Sequence, residues 1–307
     1  MANFVNSRYL DRVTVDYEPP DQHYIADEIL TLVPVTQVSG KIATFAKFPS
    51  KQSDDAMGIK SGSSKLNTGR IKSDGTFATE AHGHFDTVTN REAEVYADFT
   101  NLFEDTAYEL KKQCLLNKEI AAAALVAAGS YGTSPTVKWD ASTGTIIIEK
   151  DIRNAIAAFS LQAGVDPNTL VIPKEVWDAI VMDSTLRNVW LLVPGRSDQN
   201  IKLSSLMKLL FDNFTSILVP NVKKDTAIKG VAESLTPVWT DTVSLLYRVP
   251  KGTTKTFTWG GCYRKQDWKT RQWVNDNPEG TNIEVSREED MKQVCATALY
   301  NLTNVLT

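Results

Sequence analysis

The side chains with the clearest capacity for chemistry lie within five consecutive residues, His82-Gly83-His84-Phe85-Asp86. On a β-strand, alternate residues project from the same face, so His82, His84 and Asp86 would line one side of the strand. Two imidazoles and a carboxylate are ligands that Zn²⁺ accepts in catalytic sites. The pattern therefore defines one hypothesis, a metal-dependent hydrolase that uses these three residues.

Other features of the sequence oppose a metal site. No fourth ligand is evident, and the one remaining histidine is His23, far away along the chain. The motif also adjoins a long polar segment, and short motif matches carry a high false-positive rate. We therefore favour solvated residues at the base of a loop, and we predict no catalytic centre, no metal and no cofactor.

The composition indicates a folded protein without a strong attraction for polyanions. The 307 residues are 42% hydrophobic, enough for sizeable cores, and the net charge is −4. Three widely spaced cysteines suit free thiols in a reducing compartment. The first residues lack the pattern of a signal peptide, and no apolar run has the length of a membrane span. We expect synthesis in the cytoplasm and no membrane partner.

The histidine motif leads into a segment that we predict to be one long helix, from about Thr89 to Ala128. Apolar residues recur there at steps of three and four, which forms a stripe along one face: Tyr96, Phe99, Phe103, Ala107, Leu110 and Cys114. Thr89 and Glu92 have the spacing of a capping box, and Gly129 suits the end of the helix. We predict that the stripe packs on the β-rich C-terminal segment.

Before this helix, the sequence predicts an arm and then a two-stranded finger. Residues 1 to about 38 are interpreted as an extended arm, with a short helix within 21–30. Residues 39–48 alternate polar and apolar side chains, as a half-buried strand does. From 49 to about 83 the chain is polar, and Phe85 to Val88 is interpreted as the return strand.

After the helix, residues 137 to 250 mix short strands and helices and are predicted to form their own α/β core. Helices are predicted around 152–159, after Pro173 and over 203–214, and strands over 169–172, 216–219 and 243–249. The tail from 254 to 307 is β-rich. Residues 294–305 fit either a buried strand or a buried helix, and their periodicity does not separate the two.

The order of these parts resembles the major capsid protein family of tailed bacteriophages. Ser39-Gly40-Lys41 before an aromatic strand resembles the entry to that family's extended loop. A second run resembles its passage into the axial domain: Trp139, Glu149-Lys150-Asp151-Ile152, Gly164, Pro167-Asn168, Leu170-Val171-Ile172 and Val176-Trp177. The resemblance covers nearly the whole chain as an architecture, and no single diagnostic motif carries it.

This resemblance implies an α+β fold with an N-terminal arm (1–38), an extended loop (39–88), a peripheral domain with a long spine helix (89–136 and 251–307) and an α/β axial domain (137–250). It implies pentamers and hexamers that close an icosahedral shell around double-stranded DNA, without sequence-specific binding, after assembly in a bacterial host. It also implies a portal. A separate scaffolding protein is expected, because a helix beginning by residue 89 leaves no room for a built-in scaffold. A cellular nanocompartment shell is the alternative within the same fold.

The distribution of charge suggests one specific contact between subunits. From Lys47 to Lys72 there are six basic residues and two acidic ones, whereas from Arg91 to Glu109 there are six acidic residues and one basic one. Exposed charges of this kind are often only solvated. Our hypothesis is that the loop of one subunit covers the first half of a neighbour's long helix. The residues assigned to this contact are Lys60, Lys65, Arg70, Glu92, Glu94, Asp98, Glu104 and Asp105.

Overall fold

The computed structural model describes residues 5–6, 23–46, 73–96, 101–141, 147–183, 188, 211, 213–227, 231–277 and 279–307. Helices cover Ala26–Ile29 (α1), Asn90–Tyr96 (α2), Leu102–Ala127 (α3), Ile148–Ala163 (α4) and Lys174–Met182 (α5). Strands cover Val5–Asn6 (β1), Thr31–Pro34 (β2), Ser39–Thr44 (β3), Ser73–Ala78 (β4), Glu80–Thr89 (β5), Gly132–Thr133 (β6), Thr169–Val171 (β7), Ser216–Leu218 (β8), Lys223–Asp225 (β9), Leu235–Pro237 (β10), Val243–Leu246 (β11), Gly260–Asp276 (β12), Glu279–Gln293 (β13) and Leu299–Leu302 (β14). The predicted mixture of helix and sheet is confirmed.

The largest sheet is built on a long hairpin formed by β12 and β13, which pair from Gly260↔Gln293 to Asp276↔Glu279. β5 pairs antiparallel with the other edge of β13. The free edge of β12 takes β2 in parallel at one end and β1 in antiparallel orientation at the other. The N-terminal segment and the tail of the chain therefore meet in one sheet.

The part of the predicted stripe that lies on α3 packs on this sheet, whereas Tyr96, the first residue assigned to the stripe, lies on α2 and is 47% exposed. Ala107 and Leu110 are buried against Val88 of β5 and against Ile283 and Val285 of β13. The segment that contains Ile283 and Val285 is a strand, which confirms that prediction. Because residues three and four apart on a helix share a face, this short apolar pattern was sufficient to identify the buried side.

The prediction of one continuous helix from Thr89 to Ala128 is wrong. The structure has α2 of 7 residues and α3 of 26 residues, and Asn101 immediately before α3 is not helical, with φ −82° and ψ 89°. The Asn101 carbonyl accepts the first hydrogen bonds of α3, from the N–H groups of Glu104 and Asp105 at 3.0 and 3.1 Å. Asparagine is common at this position, and here its side chain donates to the Glu104 carboxylate in the first turn of α3.

A two-stranded antiparallel finger is present, as predicted, but its second strand is not the predicted one. β3 pairs with β4, which lies inside the segment that we interpreted as purely polar, whereas Phe85 to Val88 belongs to β5 of the large sheet. Phe77 of β4 stacks on Tyr263 of β12, with ring centroids 5.0 Å apart. Gly40 of β3 lies against the Phe77 ring, and a Cβ atom at this position would come within 2.7 Å of that ring. One aromatic contact therefore anchors a strand whose own sequence is mostly polar.

A second sheet has the strand order β6, β14, β11, β7, β8. α4 packs in the same core through Ile152, Ala155 and Phe159, and it ends at Gly164 in the left-handed conformation with φ 78°. The predicted helices after Ile148 and Pro173 and the strands at 169, 216 and 243 are confirmed. The segment 294–305, which the sequence left open, contains the strand β14.

Two predictions remain untested by this architecture. The helix predicted over 203–214 falls almost entirely on residues outside the described ranges. The division into four domains also stays a prediction. The second sheet joins β7, β8 and β11 from the segment assigned to the axial domain with β6 and β14 from segments assigned to the peripheral domain.

Candidate assembly surfaces and a buried charge cluster

The acidic surface at the start of the helical segment begins with a capping box. The Thr89 hydroxyl accepts the Glu92 N–H at 3.2 Å, and the Glu92 carboxylate accepts the Thr89 N–H at 3.0 Å, as the spacing predicted. The hydroxyl of Thr89 also donates to Glu92, and these bonds lower the pKa of Glu92 below its usual value. Glu92 and Glu94 are both exposed on α2.

The other members of the predicted contact are only partly described. Glu104 and Asp105 lie in the first turn of α3, where Glu104 accepts a hydrogen bond from the side chain of Asn101 and Asp105 is exposed. Asp98 and the three basic residues of the loop lie outside the described residues: Lys60, Lys65 and Arg70. The contact between loop and helix therefore stays a prediction.

The histidine motif lies on β5, and the ligand atoms of its three residues are not gathered into one of the three-ligand clusters found among the described residues. His84 Nε2 accepts a hydrogen bond from the Asn117 amide of α3 at 2.8 Å, whereas His82 and Asp86 are exposed. The backbone positions of His82 and Asp86, four residues apart on the strand, are separated by roughly 13.6 Å, which is too far for these three side chains to share one ion on a regular strand. Among the described residues, the only cluster of three ligand atoms is a different one: Asp27, Cys262 and Glu289, within 4.8 Å of one another.

That cluster lies in a network of charged side chains, which we call the buried charge cluster: Lys118, Arg264, Arg287 and Glu289, which are mostly buried, and Asp27 at its edge, which is half-exposed. Lys118 is 2% exposed, and its Nζ lies 2.6 Å from Asp27 and 3.0 Å from Glu289. Arg264 contacts the same two carboxylates at 2.6 and 3.2 Å, and Arg287 contacts Glu289 at 2.9 Å. A buried charge loses its hydration, and several ion pairs of this kind are needed to compensate for that loss.

The electrostatics of the cluster follow from burial opposed by neighbouring cations. Burial acts to raise the pKa of Asp27 and of Glu289, but the cations Lys118 and Arg264 outweigh burial and hold both values below their usual range. Burial raises the pKa of the Cys262 thiol to about 12, and this thiol donates to Glu289 at 3.2 Å. Because metals bind the thiolate and these carboxylates already pair with cations, the donor set does not fit a metal ion.

Glu119, next to Lys118 on α3, is fully buried and holds two other parts of the chain in place. Its carboxylate accepts the Ile25 N–H at 3.1 Å, the Ala26 N–H at 2.9 Å and the Trp239 indole N–H at 2.7 Å. Burial raises the pKa of Glu119, and the N–H donors oppose this rise. The carboxylate thus satisfies backbone groups at the start of α1 that would otherwise be left without acceptors.

Sequence reasoning missed the buried charge cluster, although one signal was present. The stripe continues beyond Cys114 with steps of four through Lys118, Ala122 and Val126, which are all buried. A lysine at a stripe position, followed by a glutamate, is a polar interruption of an apolar pattern and calls for buried partners. Those partners lie 91 and 171 residues away in the sequence, so the pattern alone could not name them.

Large apolar side chains are exposed on β5 and on α4. Phe85 is 66% exposed, and its ring centroid lies 6.3 Å from that of Trp273. It alternates with His84, which contacts α3, so Phe85 points away from the helix. Leu161 of α4 is 90% exposed. In the described part of the chain, no helix has both the length and the apolar character that crossing a bilayer requires.

Comparison with known proteins agrees with this architecture. A family model described as "Phage capsid protein" matches residues 74–292, well over half of the chain. No curated protein matches the sequence. A phage-related protein from Bordetella bronchiseptica RB50 has a similar structure with a TM-score of 0.72, 18% identity and 98% of each chain covered.

Two further structures share the fold at lower similarity. The capsid of the cyanophage P-SCSP1u has a TM-score of 0.62 and 10% identity over 93% of this chain and 89% of that one. A virus-like particle from Pyrococcus furiosus has a TM-score of 0.56 and 11% identity over 95% of each chain. Identities this low establish the fold alone. With a family model matched from β4 to the end of β13, the chain belongs to the phage capsid protein family.

Proposed function

We propose that this chain is the major capsid subunit of a tailed bacteriophage and that it assembles into pentamers and hexamers of an icosahedral shell. The family match over residues 74–292 carries this proposal. The fold match to the cyanophage capsid over most of both chains supports it. The family and the fold indicate a structural role, and the proposed mechanism is self-assembly through many repeated contacts, with no catalytic step.

The shell encloses double-stranded DNA without reading its sequence. Because the net charge of the chain is −4, the wall retains the genome by enclosure and needs no tight electrostatic binding. A portal and a separate scaffolding protein complete the list of proposed partners, and assembly takes place in the cytoplasm of the bacterial host. The mature protein is then a component of the virion.

Electron microscopy of the expressed protein tests the shell directly. We expect uniform closed particles, alone or with a co-expressed scaffolding protein, and fast sedimentation of the same fractions. Stable monomers across protein concentration, ionic strength and scaffold would contradict the proposal.

We further propose that the basic loop of one subunit lies over the acidic surface of a neighbour. The exposed carboxylates of Glu94 and Asp105 support this contact, because both are accessible at the start of the helical segment. Glu92 keeps its charge within the capping box, as its lowered pKa favours the ionised form. Opposite charges across an interface between subunits affect the rate of association and the register of the two partners more than they affect the affinity.

Charge reversal tests the loop contact. Changing Lys60, Lys65 and Arg70 together to Glu should slow assembly and leave the monomer folded, as judged by light scattering and circular dichroism. A matched control reverses three exposed lysines elsewhere, Lys223, Lys251 and Lys255. Assembly of the loop variant at the wild-type rate, with no dependence on salt, would remove the proposed contact.

A cellular nanocompartment shell is the second candidate, because a virus-like particle from Pyrococcus furiosus shares the fold. Its TM-score of 0.56 is lower than the 0.62 of the cyanophage capsid. The contents of particles purified from the native source separate the two candidates. Nuclease-resistant genomic DNA supports the phage shell, whereas particles filled with a single enzyme support the nanocompartment.

A further inference from the structure

The segment 23–34 contacts both sheets of the molecule. Its strand β2 pairs with β12 of the largest sheet, and Asp27 of α1 contacts Lys118 of α3 at 2.6 Å. His23, at the start of the segment, instead contacts the second sheet. Its Nδ1 lies 3.1 Å from the carbonyl oxygen of Val219, the residue that follows β8. This histidine therefore connects a segment fixed to the largest sheet with the terminal strand of the second sheet.

The other ring nitrogen of His23 also faces an acceptor. Its Nε2 lies 3.4 Å from the carboxylate of Glu28 on α1. A carbonyl oxygen and an ionised carboxylate accept hydrogen bonds and donate none. A neutral imidazole has one N–H group and one bare nitrogen, so either tautomer bonds to one of these partners and turns a lone pair toward the other. The imidazolium carries a proton on both nitrogens and donates to both partners.

The charged groups near this contact lie on three elements. Glu28 and Asp27 belong to α1, and their charges oppose the lowering of the Arg248 pKa that burial causes just beyond β11. Glu119 of α3 accepts two N–H groups at the start of α1. The side chains of His23 and Glu28 are 50% and 47% exposed. Solvent therefore weakens the attraction between these two side chains, and its contribution to stability is modest.

We propose that protonation of His23 completes a bridge from Glu28 to the Val219 carbonyl, and that this bridge is a pH-dependent contact between α1 and the edge of the second sheet. We call it the His23 clasp. Histidine is the side chain whose charge changes between about pH 5 and 8. At the acid end of this range the cation donates to both acceptors, because a glutamate is ionised there. At the alkaline end the neutral ring keeps one of the two bonds, so the clasp is strongest in mild acid.

A double-mutant cycle at two pH values tests the His23 clasp. Urea unfolding of the unassembled subunit compares wild type, His23→Gln, Glu28→Gln and the double variant. We expect the coupling between the two side chains to change the unfolding equilibrium constant about threefold at about pH 5.5 and to disappear at about pH 8. Asp27, Arg248 and Glu119 are present in all four proteins, so their own titration cancels. Coupling that is absent at both pH values, or equal at both, would overturn the proposal.

His82 provides the matched control, because it is an exposed histidine on β5 of the largest sheet. His82→Gln combined with Glu28→Gln in the same cycle should show no coupling at either pH. A pH-dependent coupling of the same size for His82 would indicate a general effect of net charge and would contradict a specific clasp.

Hydrogen exchange measured by mass spectrometry locates the effect in the chain. The N–H groups of Glu28 and Ile29 donate to the Ile25 carbonyl within α1, at 2.8 and 2.9 Å. Their protection, corrected for the intrinsic exchange rate at each pH, should be about threefold greater in wild type than in His23→Gln at about pH 5.5, and this ratio should shrink at about pH 8. Glu28→Gln should give the same result, so the test does not depend on the folding of one variant. A ratio that is the same at both pH values would overturn the clasp.

Discussion

Charged residues on α2 and in the first turn of α3 face solvent, whereas those near the end of α3 are buried among distant parts of the chain. Glu92 and Glu94 are exposed, and Glu92 forms its capping-box hydrogen bonds with Thr89, three residues away. Lys118 and Glu119 are at most 2% exposed and bond to residues at least 91 positions away. The same residue types thus serve two purposes within 30 residues of sequence.

The difference predicts which substitutions affect folding and which affect assembly. An exposed charge keeps its hydration, so its removal changes stability little. A buried charge has lost its hydration, and its removal leaves its partners buried without compensation. Variants at the end of α3 should therefore unfold the subunit, and variants on α2 should leave a folded subunit that assembles differently.

The largest expected effect is that of Lys118→Ala. Removing the ammonium leaves Glu289 buried with fewer cations and should lower the free energy of unfolding by about 3–5 kcal/mol. Urea unfolding at neutral pH measures the change. Lys112→Ala, at a more exposed position on the same helix, is the control and should cost less than about 0.5 kcal/mol. Equal free energies of unfolding for the two variants would contradict the expectation that buried charges matter more for stability than exposed ones.

Glu119→Gln should have the next largest effect, about 2 kcal/mol of unfolding free energy. The amide keeps one oxygen acceptor but places an NH₂ group against either Ala26 N–H or Trp239 Nε1, which are both donors. Urea unfolding at neutral pH measures the change. A variant with wild-type stability would mean that water replaces these bonds without cost.

Asp27→Asn should cost about 1 kcal/mol at neutral pH, because this carboxylate is half-exposed and solvent weakens its ion pairs. Its pKa is lower in the folded protein than in the unfolded chain, so its stabilising effect is present at neutral pH and is lost as the pH falls below about 4. The difference between variant and wild type should therefore shrink toward pH 3. Urea unfolding across this range tests the sign, and a difference that grows on acidification would contradict it.

The smallest effect on stability is expected for Glu94→Gln, below about 0.5 kcal/mol. If the neighbour's loop covers this surface, the same substitution should slow assembly measurably by light scattering. Glu233→Gln, at an exposed position before β10, is the matched control. A large loss of stability in Glu94→Gln would show that α2 depends on buried interactions, as α3 does.

Much of the architecture was predictable because its signals are local. The capping box at Thr89, the stripe at Ala107 and Leu110, and the left-handed end of α4 at Gly164 each depend on residues within one or two helical turns. The order of these elements was sufficient for the resemblance to tailed-phage capsid proteins, and the family match supports it.

The errors arose where distant contacts override local preference. The return strand of the finger is Ser73–Ala78 because Phe77 stacks on Tyr263, which lies more than 180 residues further along the chain. The break before α3 was also missed, because the apolar period continues through Asn101 and only the backbone geometry shows the interruption. Periodicity identifies a buried face, but it does not reveal which partner covers that face.

The sequence by itself determined the helices near 152–159 and after Pro173, the strands at 169, 216 and 243, and the side of α3 that is buried, since backbone hydrogen bonding and amphipathic spacing act over a few residues. Only the tertiary structure decided that Lys118 and Glu119 lie inside, and which distant residues pair with them. The physical reason is desolvation. A charge can be buried only where several distant chain segments together supply its partners, and that condition is met only in the folded protein.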